Sequence, residues 1–277
     1  MNLYNSRHIA VMLIASAAMF TACSSDDDEI VITRPLSVEI DCSETRADLT
    51  TTSTLAGFKM YGADRTYEFK KETTGWTSDN SHWPTVGNDV VVNFYAYDGG
   101  TKIDGANRID VTVDENAFEQ KDILYAKRST SFSETGETGK INLTFHHACA
   151  ALNVSVELSA TLKTALQTAN KNITITSVTL NNVKNNGKFD LDTEEWSDAG
   201  GTANYTLTNG DITIEPTSSK IFLPCNYLFM IPQSLDGASF EVLCKVGTST
   251  KTQIMTFQLD GKTLTQNKKE TLNIVLQ

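Results

Sequence analysis

One cysteine near the start of the chain stands where a thiol could be acylated. Residues 9–20 carry no charged side chain, the small Thr21 and Ala22 follow, and Cys23 comes next. Such a run is too short to span a bilayer, which needs about 20 apolar residues, and it is typical of a secretory signal peptide. A lipoprotein peptidase cuts before a cysteine whose thiol already carries a diacylglycerol. We therefore predict a lipoprotein signal peptide over 1–22 and a membrane anchor at Cys23. The alternative is an ordinary signal peptide followed by a cysteine by chance.

Four acids follow the predicted anchor, in the run Asp26, Asp27, Asp28 and Glu29. Like charges in sequence cannot pack, so residues 23–30 are predicted to form a solvated acidic tether. A run at this place also resembles the signal that sends some Gram-negative lipoproteins to the outer face of the outer membrane. The predicted location is therefore the cell outer membrane, exposed at the surface. The net charge is −11 and no stretch is rich in Lys and Arg, which argues against nucleic acid as a partner.

The remaining residues do not form a recognisable catalytic motif. GxSxG, HExxH and a glycine-rich phosphate loop are absent from the sequence. His146 and His147 are adjacent, so on a strand they point to opposite faces and are unsuited to share one metal ion. The acids of DLDTEEW (190–196) are expected to lie in a solvated turn. The sequence predicts no enzyme, no cofactor and no metal site.

Four cysteines remain after Cys23, namely Cys42, Cys149, Cys225 and Cys244. An exported protein could oxidise them, although none has CxxC or zinc-type spacing. Cys225 and Cys244 flank a turn signal and could lie opposite each other on a hairpin, which makes them a possible disulfide. Otherwise they are buried small hydrophobic residues.

Short segments of period two dominate the mature chain, and they predict an all-β fold. They are rich in β-branched and aromatic residues, and clusters of Gly, Asn, Asp and Thr separate them. VVVNFYAY (90–97) is apolar on both faces, as in a strand covered on both sides. Only ATLKTALQTAN (160–170) has helical spacing, with Ser159 as its cap. The other strand segments are INLTF, ITITSVTL, DITIEP, YLFMI, FEVLCKV, IMTFQL and TLNIVL.

The apolar positions change phase in the stretch INLTFHHACAALNVSVEL (141–158). They are odd-numbered before His146 and even-numbered after Ala150. A strand changes its buried face only through a bulge or by passing to another sheet. This predicts two tandem β-sandwich domains, over 31–147 and 148–277.

Aromatic residues cluster around Trp76, Trp83, Tyr95 and Tyr97. They could form a platform on which a sugar ring stacks. In a β protein such residues are more often part of the core, and Pro84 after Trp83 suggests the start of a strand. Both interpretations stay open from the sequence.

Several stretches follow one another along the chain and together cover most of the mature sequence. They are the acylated cysteine with its acidic run, ETRAD (44–48), FKMYG (58–62), the W…HWP segment (76–84), VNFYAY (92–97), DILYA (122–126), LTFHHACAALNVSVEL (143–158) and FMIPQ (229–233). In this order they resemble one family, the fimbrillins, which are lipoprotein pilins of type V pili, in their Mfa-like branch.

This resemblance implies two domains of transthyretin-like topology and a specific assembly route. An arginine-specific protease would cut between Arg46 and Ala47, and a strand from a neighbouring subunit would fill the groove left by the first strand. Arg34 is a poorer site because Pro35 blocks most trypsin-like cleavage. The donor strand would come from the C-terminal TLNIVLQ (271–277) through Leu272, Ile274 and Leu276, unless that segment is an ordinary final strand of its own sheet.

The predicted function is therefore a fimbrial subunit in cell adhesion, assembled by donor-strand complementation. Its partners would be other fimbrial subunits, the outer membrane through the lipid, and a host or bacterial surface ligand. The alternative is a glycan-binding surface lipoprotein that uses the region of Trp76 and Trp83.

Overall fold

The computed structural model describes residues 34–42 and 55–277. The signal peptide, the acidic tether, Cys23, Arg46 and Ala47 lie outside the described residues. The predicted all-β fold is confirmed. No helix within the described ranges is both long and apolar enough to cross a membrane.

Before Ala148, the described residues form nine strands and one short helix. The helix α1 (Phe132–Thr135) continues into a 3-10 turn, Gly136–Thr138. The strands are β1 (Ser37–Cys42), β2 (Gly57–Gly62), β3 (Arg65–Glu72), β4 (Gly75–Thr77), β5 (Val92–Asp98), β6 (Thr101–Lys102), β7 (Arg108–Thr112), β8 (Leu124–Thr130) and β9 (Lys140–His147).

Seven of these strands form one sheet, in the order β1-β9-β8-β5-β2-β3-β4. Their inward side chains alternate along each strand, as in Phe58 and Met60 of β2 or Tyr67 and Phe69 of β3. They build the first core, which contains Leu36, Leu55, Phe58, Met60, Tyr67, Phe69, Trp83, Val92, Phe94, Ala96, Leu124, Ala126, Ile141, Leu143 and Phe145.

Thirteen strands and the helix α2 (Ala160–Ala169) follow Cys149. The helix is the predicted one, and the Ser159 Oγ accepts a hydrogen bond from Leu162 N–H at 3.2 Å. The strands are β10 (Ala150–Leu158), β11 (Ile173–Val183), β12 (Asn186–Asp190), β13 (Trp196–Gly200), β14 (Ala203–Thr206), β15 (Ile212–Ile214), β16 (Ile221–Phe222), β17 (Leu228–Met230), β18 (Gln233–Ser234), β19 (Ser239–Val246), β20 (Gln253–Gln258), β21 (Thr263–Leu264) and β22 (Lys269–Leu276).

The main C-terminal sheets pack around a second core. One contains β16, β10, β17 and β22, and the other contains β14, β15, β11, β19 and β20. The second core includes Leu152, Val154, Val156, Val178, Leu180, Phe240, Val242, Ile274 and Leu276.

The switch of apolar positions from odd to even numbers within 141–158 marks the passage of the chain from the first core to the second. Ile141 and Leu143 of β9 belong to the first core, whereas Leu152 and Val154 of β10 belong to the second. The two strands join different sheets, and only residues 148 and 149 separate them. The chain therefore passes from one sheet to another within this stretch, as the alternation indicates.

A third core lies where the two halves of the chain meet. It contains Tyr95, Tyr97, Ile109, Val111, Ile123, Tyr125, Ala148, Cys149, Phe189 and Leu191. A sheet in the order β13-β12-β7-β6 covers it and takes strands from both halves. The predicted burial of VVVNFYAY on both faces holds from Phe94 onward, since Phe94 enters the first core and Tyr95 the third. It is wrong for Val90 and Val91, which precede β5 and are 50% and 60% exposed. The division into domains at 147 and 148 stays a prediction, and the shared sheet crosses it.

The turn between β12 and β13 carries Asp192 and Glu194 of DLDTEEW, and both bind residues of β8. Glu194 Oε2 accepts a hydrogen bond from the Tyr125 hydroxyl at 3.0 Å. Asp192 pairs with Lys127, and this hydrogen bond holds the pKa of Asp192 below its usual range. These contacts therefore link the turn between β12 and β13 to β8.

The structure does not have the possible hairpin disulfide between Cys225 and Cys244 and agrees with the alternative, since both are buried free thiols. Cys225 lies between β16 and β17, whereas Cys244 lies on β19. β17 pairs with β10 and β19 pairs with β11 and β20, so the segment between the two cysteines is not one hairpin. Burial raises the pKa of Cys225 to about 11 and also raises the pKa of Cys244.

Candidate functional site

The first described segment, residues 34–42, lies at the edge of the seven-stranded sheet. Within it, β1 runs parallel to β9 in a register that starts at Ser37 opposite Lys140 and ends at Cys42 opposite Phe145. Neighbouring strands of this sheet otherwise pair antiparallel. A parallel edge strand makes no hairpin with its partner, so only a long connection ties β1 to the rest of the sheet.

The side chains of this segment alternate between core and solvent. Leu36 is buried, and Val38 and Ile40 are half-buried against the first core. Glu39 and Asp41 are exposed, and Glu39 forms an exposed ion pair with Lys140 at 2.6 Å. Exposed pairs contribute only about 0 to 1 kcal/mol, so the apolar side chains and the backbone ladder hold this segment.

Backbone hydrogen bonds fix the residues just before β1. Leu36 N–H donates to Ser81 O at 3.0 Å, and Trp83 N–H donates to Arg34 O at 2.9 Å. These bonds flank an antiparallel bridge between Pro35 and His82. The His82 carbonyl also accepts a hydrogen bond from the Tyr67 hydroxyl at 2.8 Å. Burial raises the pKa of Tyr67, so this hydroxyl stays protonated and available as a donor.

The guanidinium of Arg34 is the most heavily bound group of the segment. Its Nη2 donates to the carbonyl oxygens of Pro84 (2.7 Å) and Val86 (2.5 Å), and its Nη1 donates to Asn88 Oδ1 at 2.8 Å. The guanidinium carbon lies 5.3 Å from the centre of the Phe132 ring. From the sequence, Arg34 is recognisable only as a poor protease site. The sequence signal that could have indicated the binding role of Arg34 is the position of this residue, two residues before the alternating Leu36, Val38 and Ile40.

β9 depends on β1 for most of its pairing among the described residues. Positions 140–145 pair with β1, and only His146 and His147 pair with β8. Removal of β1 would leave a row of backbone N–H and C=O groups of β9 unpaired and would uncover the first core. An incoming strand could satisfy both needs at once, which is the chemistry of β-augmentation.

The predicted processing site falls between β1 and β2. Arg46 and Ala47 are outside the described residues, but β1 ends at Cys42 and β2 begins at Gly57. A cut after Arg46 would therefore separate β1 from the rest of the chain and leave it held by non-covalent contacts alone.

The predicted donor residues lie in the sheet of their own domain. β22 runs parallel to β10, from Lys269 opposite Ala151 to Leu276 opposite Leu158. Ile274 and Leu276 are buried in the second core, and Leu272 is half-buried against it. β22 pairs with β10 alone among the described strands, so it is an edge strand. Donation to a neighbour would require it to leave β10.

The aromatic platform predicted as one alternative does not form. Trp83 is only 2% exposed, and its ring packs edge-on against Phe94 and Phe132 in the first core. Tyr95 and Tyr97 are buried in the third core. Trp76 alone is half-buried, with its ring against Phe58. The interpretation of this cluster as core is confirmed.

The two adjacent histidines have different environments, as the strand geometry predicts. His147 is buried, and its Nδ1 contacts Asp122 Oδ2 at 2.5 Å. The His146 ring lies 5.7 Å from the Tyr125 ring. Within 34–42 and 55–277, no group of three or more His, Cys, Asp or Glu side chains is placed to hold a metal ion.

Together, the sheets and the docked leading segment define an all-β protein whose first described strand lies at the edge of its sheet. Residues 42–277 match the family described as fimbrillin-like, and the chain belongs to that family. No curated protein matches this chain.

Solved structures of candidate cell adhesion proteins are similar to this chain in fold. One from Bacteroides uniformis ATCC 8492 has 15% identity, covers 87% of this chain and 93% of its own length, and has a TM-score of 0.54. One from Bacteroides ovatus ATCC 8483 has 16% identity, coverages of 88% and 92%, and a TM-score of 0.53. One from Parabacteroides distasonis ATCC 8503 has 10% identity, coverages of 88% and 89%, and a TM-score of 0.56. At these identities the likeness shows the fold alone.

Proposed function

We propose that this chain is a surface lipoprotein that serves as a fimbrial subunit in cell adhesion and assembles by donor-strand complementation. Membership of the fimbrillin-like family supports a fimbrial or adhesive role at the cell surface. The observation that carries the proposal is the docking of β1 as a parallel edge strand, directly upstream of the connection that contains Arg46.

In this proposal the chain travels to the outer membrane with a lipid on Cys23. A protease then cuts after Arg46 and separates β1 and the lipid from the body of the subunit. Cutting is required because, while β1 occupies the edge of β9, no other strand can pair there. The intact chain is thus a precursor whose groove is already filled.

The replacement strand gains free energy from two sources. Each backbone hydrogen bond contributes about 1 kcal/mol net, and each fully buried Leu or Ile side chain contributes about 1.5 to 3 kcal/mol. A strand as long as β1 with three inward apolar side chains would contribute on the order of 10 kcal/mol before the cost of ordering it. Subunits joined in this way need no covalent link.

The C-terminal strand β22 is the proposed donor to the next subunit. Its alternating Leu272, Ile274 and Leu276 have the same spacing as Leu36, Val38 and Ile40 of the leading segment. Its edge position supports this role, since an edge strand can leave by breaking one ladder only.

The substitution Arg46→Lys tests the proposal because it keeps the charge and removes the arginine. The parent protein isolated from the cell surface should begin at Ala47 and form ladders of bands in denaturing gels run without boiling. The variant should keep a lipid-bearing Cys23 and run as a monomer. The exposed Arg128→Lys is the matched control and should behave like the parent. Ladders from the Arg46→Lys variant, or a parent protein that still begins at Cys23, would overturn the proposal.

A further inference from the structure

The contacts of Arg34 define a pocket that belongs to the body of the protein. We call it the guanidinium pocket, and it consists of the carbonyl oxygens of Pro84 and Val86, the Oδ1 of Asn88 and the ring of Phe132. Three oxygen acceptors and an aromatic face match the planar, multiply donating guanidinium better than they match an ammonium.

Contacts that do not involve the leading segment support the walls of this pocket. The N–H and the Oγ of Ser133 both donate to Asn88 O, at 3.1 and 3.0 Å. Val86 N–H donates to Pro84 O at 2.8 Å. The Phe132 ring packs against the buried Trp83, with ring centres 5.5 Å apart. The pocket should therefore keep its shape when β1 leaves.

Glu134 provides a further brace for Phe132. It closes a capping box on α1 by accepting hydrogen bonds from Ser131 N–H and the Thr130 hydroxyl, each at 3.0 Å. The hydrogen bond from the Ser131 backbone holds the pKa of Glu134 below its usual range. The ring that stacks on Arg34 is thus held by Trp83 and by the capped start of the helix that carries it.

We infer that the guanidinium pocket selects the strand that replaces β1. The partner it fits is a donor strand with an arginine two residues before the first of three alternating apolar side chains. This inference rests on the proposed function, because it concerns the strand that enters after β1 has left. A donor strand with an acidic or apolar residue at that position would supply no hydrogen bond to Val86 O and Asn88 Oδ1, whereas Pro84 O would keep the one from Val86 N–H.

The chain's own C-terminal strand does not meet this requirement. If Leu272, Ile274 and Leu276 take the places of Leu36, Val38 and Ile40, Glu270 takes the place of Arg34. A carboxylate would then face three oxygen atoms.

Shifting the C-terminal strand by two residues in either direction does not help. In one direction Lys268 reaches the pocket, but Glu270 takes the buried place of Leu36. In the other direction Leu272 reaches the pocket and supplies no donor. The strand that fits is therefore expected from a different subunit and not from a second copy of this chain.

The test uses the non-lipidated chain with a site for a sequence-specific protease inserted between Arg46 and Ala47. After cutting, the rate at which the N-terminal fragment leaves the body is measured by native mass spectrometry. Because Arg34→Gln removes charge-assisted hydrogen bonds, it should speed release by about 10- to 100-fold relative to the parent. Arg34→Lys should release the fragment at a rate between those of the parent and of Arg34→Gln. The control Glu39→Gln breaks only the exposed pair with Lys140 and should change the rate by less than about 3-fold.

A second measurement leaves the protein unchanged and varies the incoming strand. A peptide of residues 268–277 and the same peptide with Glu270→Arg compete with the fragment on the cut parent chain. The arginine peptide should displace the fragment at a concentration at least about 10-fold lower. Equal displacement by the two peptides, or equal release from Arg34→Gln and Glu39→Gln, would overturn the inference. Both measurements use the inserted protease site and do not depend on processing at Arg46 in cells. If that processing were absent, the proposed function would fail, but the release and displacement results would be unchanged.

Discussion

At the scale of single residues, Gly139 sets how closely the leading segment approaches the body. Its φ is +56°, in the left-handed region, and a Cβ built there would lie 1.9 Å from the Pro35 carbonyl oxygen. Ser37 N–H donates to the Gly139 carbonyl at 3.2 Å. The residue therefore permits both the turn before β9 and the contact with Pro35.

We predict that Gly139→Ala displaces the leading segment and destabilises the protein. Left-handed backbone costs about 1 to 2 kcal/mol for a residue with a Cβ, and the clash with Pro35 adds to that cost. Urea unfolding measures the loss, and proteolysis of the segment measures its displacement. The control Gly105→Ala has a φ of +71° and open space around its Cβ, so it carries the backbone cost alone. Equal losses in the two variants would mean that the approach of Pro35 does not matter in solution.

At the scale of elements, the strands that the chain could exchange with another subunit are its two parallel edge strands, β1 and β22. β1 pairs with β9 and β22 pairs with β10, so both edge strands pair with consecutive strands of one stretch, 140–158. β22 is the longer, with eight residues against six in β1. Its inward side chains are also the more deeply buried. We therefore expect β22 to stay docked in the free subunit.

Alanine substitution in β22 tests this docking. Ile274 is 2% exposed, so Ile274→Ala should cost about 2 to 4 kcal/mol of unfolding free energy through the lost transfer energy and the cavity. The exposed Thr271 on the same strand is the control, and Thr271→Ala should change stability by about 0.5 kcal/mol or less. Chemical denaturation of both variants gives the comparison. If Ile274→Ala were as mild as the control, β22 would already be released in the monomer.

At the scale of the whole molecule, the third core joins the halves of the chain. The Phe189 ring from β12 packs against the Tyr125 ring from β8, with centres 4.7 Å apart. Trp196 Nε1–H donates to Ala148 O at 2.9 Å, next to the point where the chain changes sheets. These contacts join residues on both sides of the point where the chain changes sheets.

Removal of one ring from the third core should weaken the whole protein. Phe189 is fully buried, so Phe189→Ala is predicted to cost about 3 to 5 kcal/mol and to broaden or split the unfolding transition. Phe222→Ala is the same substitution at a residue that is 58% exposed, and its cost should be below about 1 kcal/mol. Differential scanning calorimetry reports both the stability and the number of transitions. A sharp, unshifted transition for Phe189→Ala would show that the halves unfold independently of this contact.

The sequence alone determined the features that depend on neighbouring residues. Alternation predicted the strands, and Ser159 predicted the start of α2, because pleat and helix period act over a few residues. The apolar run VVVNFYAY predicted burial on both faces, which holds from Phe94 onward and not for Val90 and Val91. The change of phase placed the passage between sheets within the correct stretch. The order of family motifs along the chain indicated the fimbrillin-like family.

Only the tertiary structure decided which distant segments meet. β1 pairs with β9 about a hundred residues away in sequence, and Arg34 binds a loop and a helix that no local pattern connects to it. Cys225 and Cys244 looked like hairpin neighbours, yet the strands on either side of Cys225 belong to a different sheet from the strand of Cys244. Strand pairing and pocket formation depend on the sum of many long-range contacts, and a short-range pattern carries no information about the partner. For this reason the sequence indicated that the first strand could be lost, whereas the structure alone located the groove and the pocket that a replacement must fit.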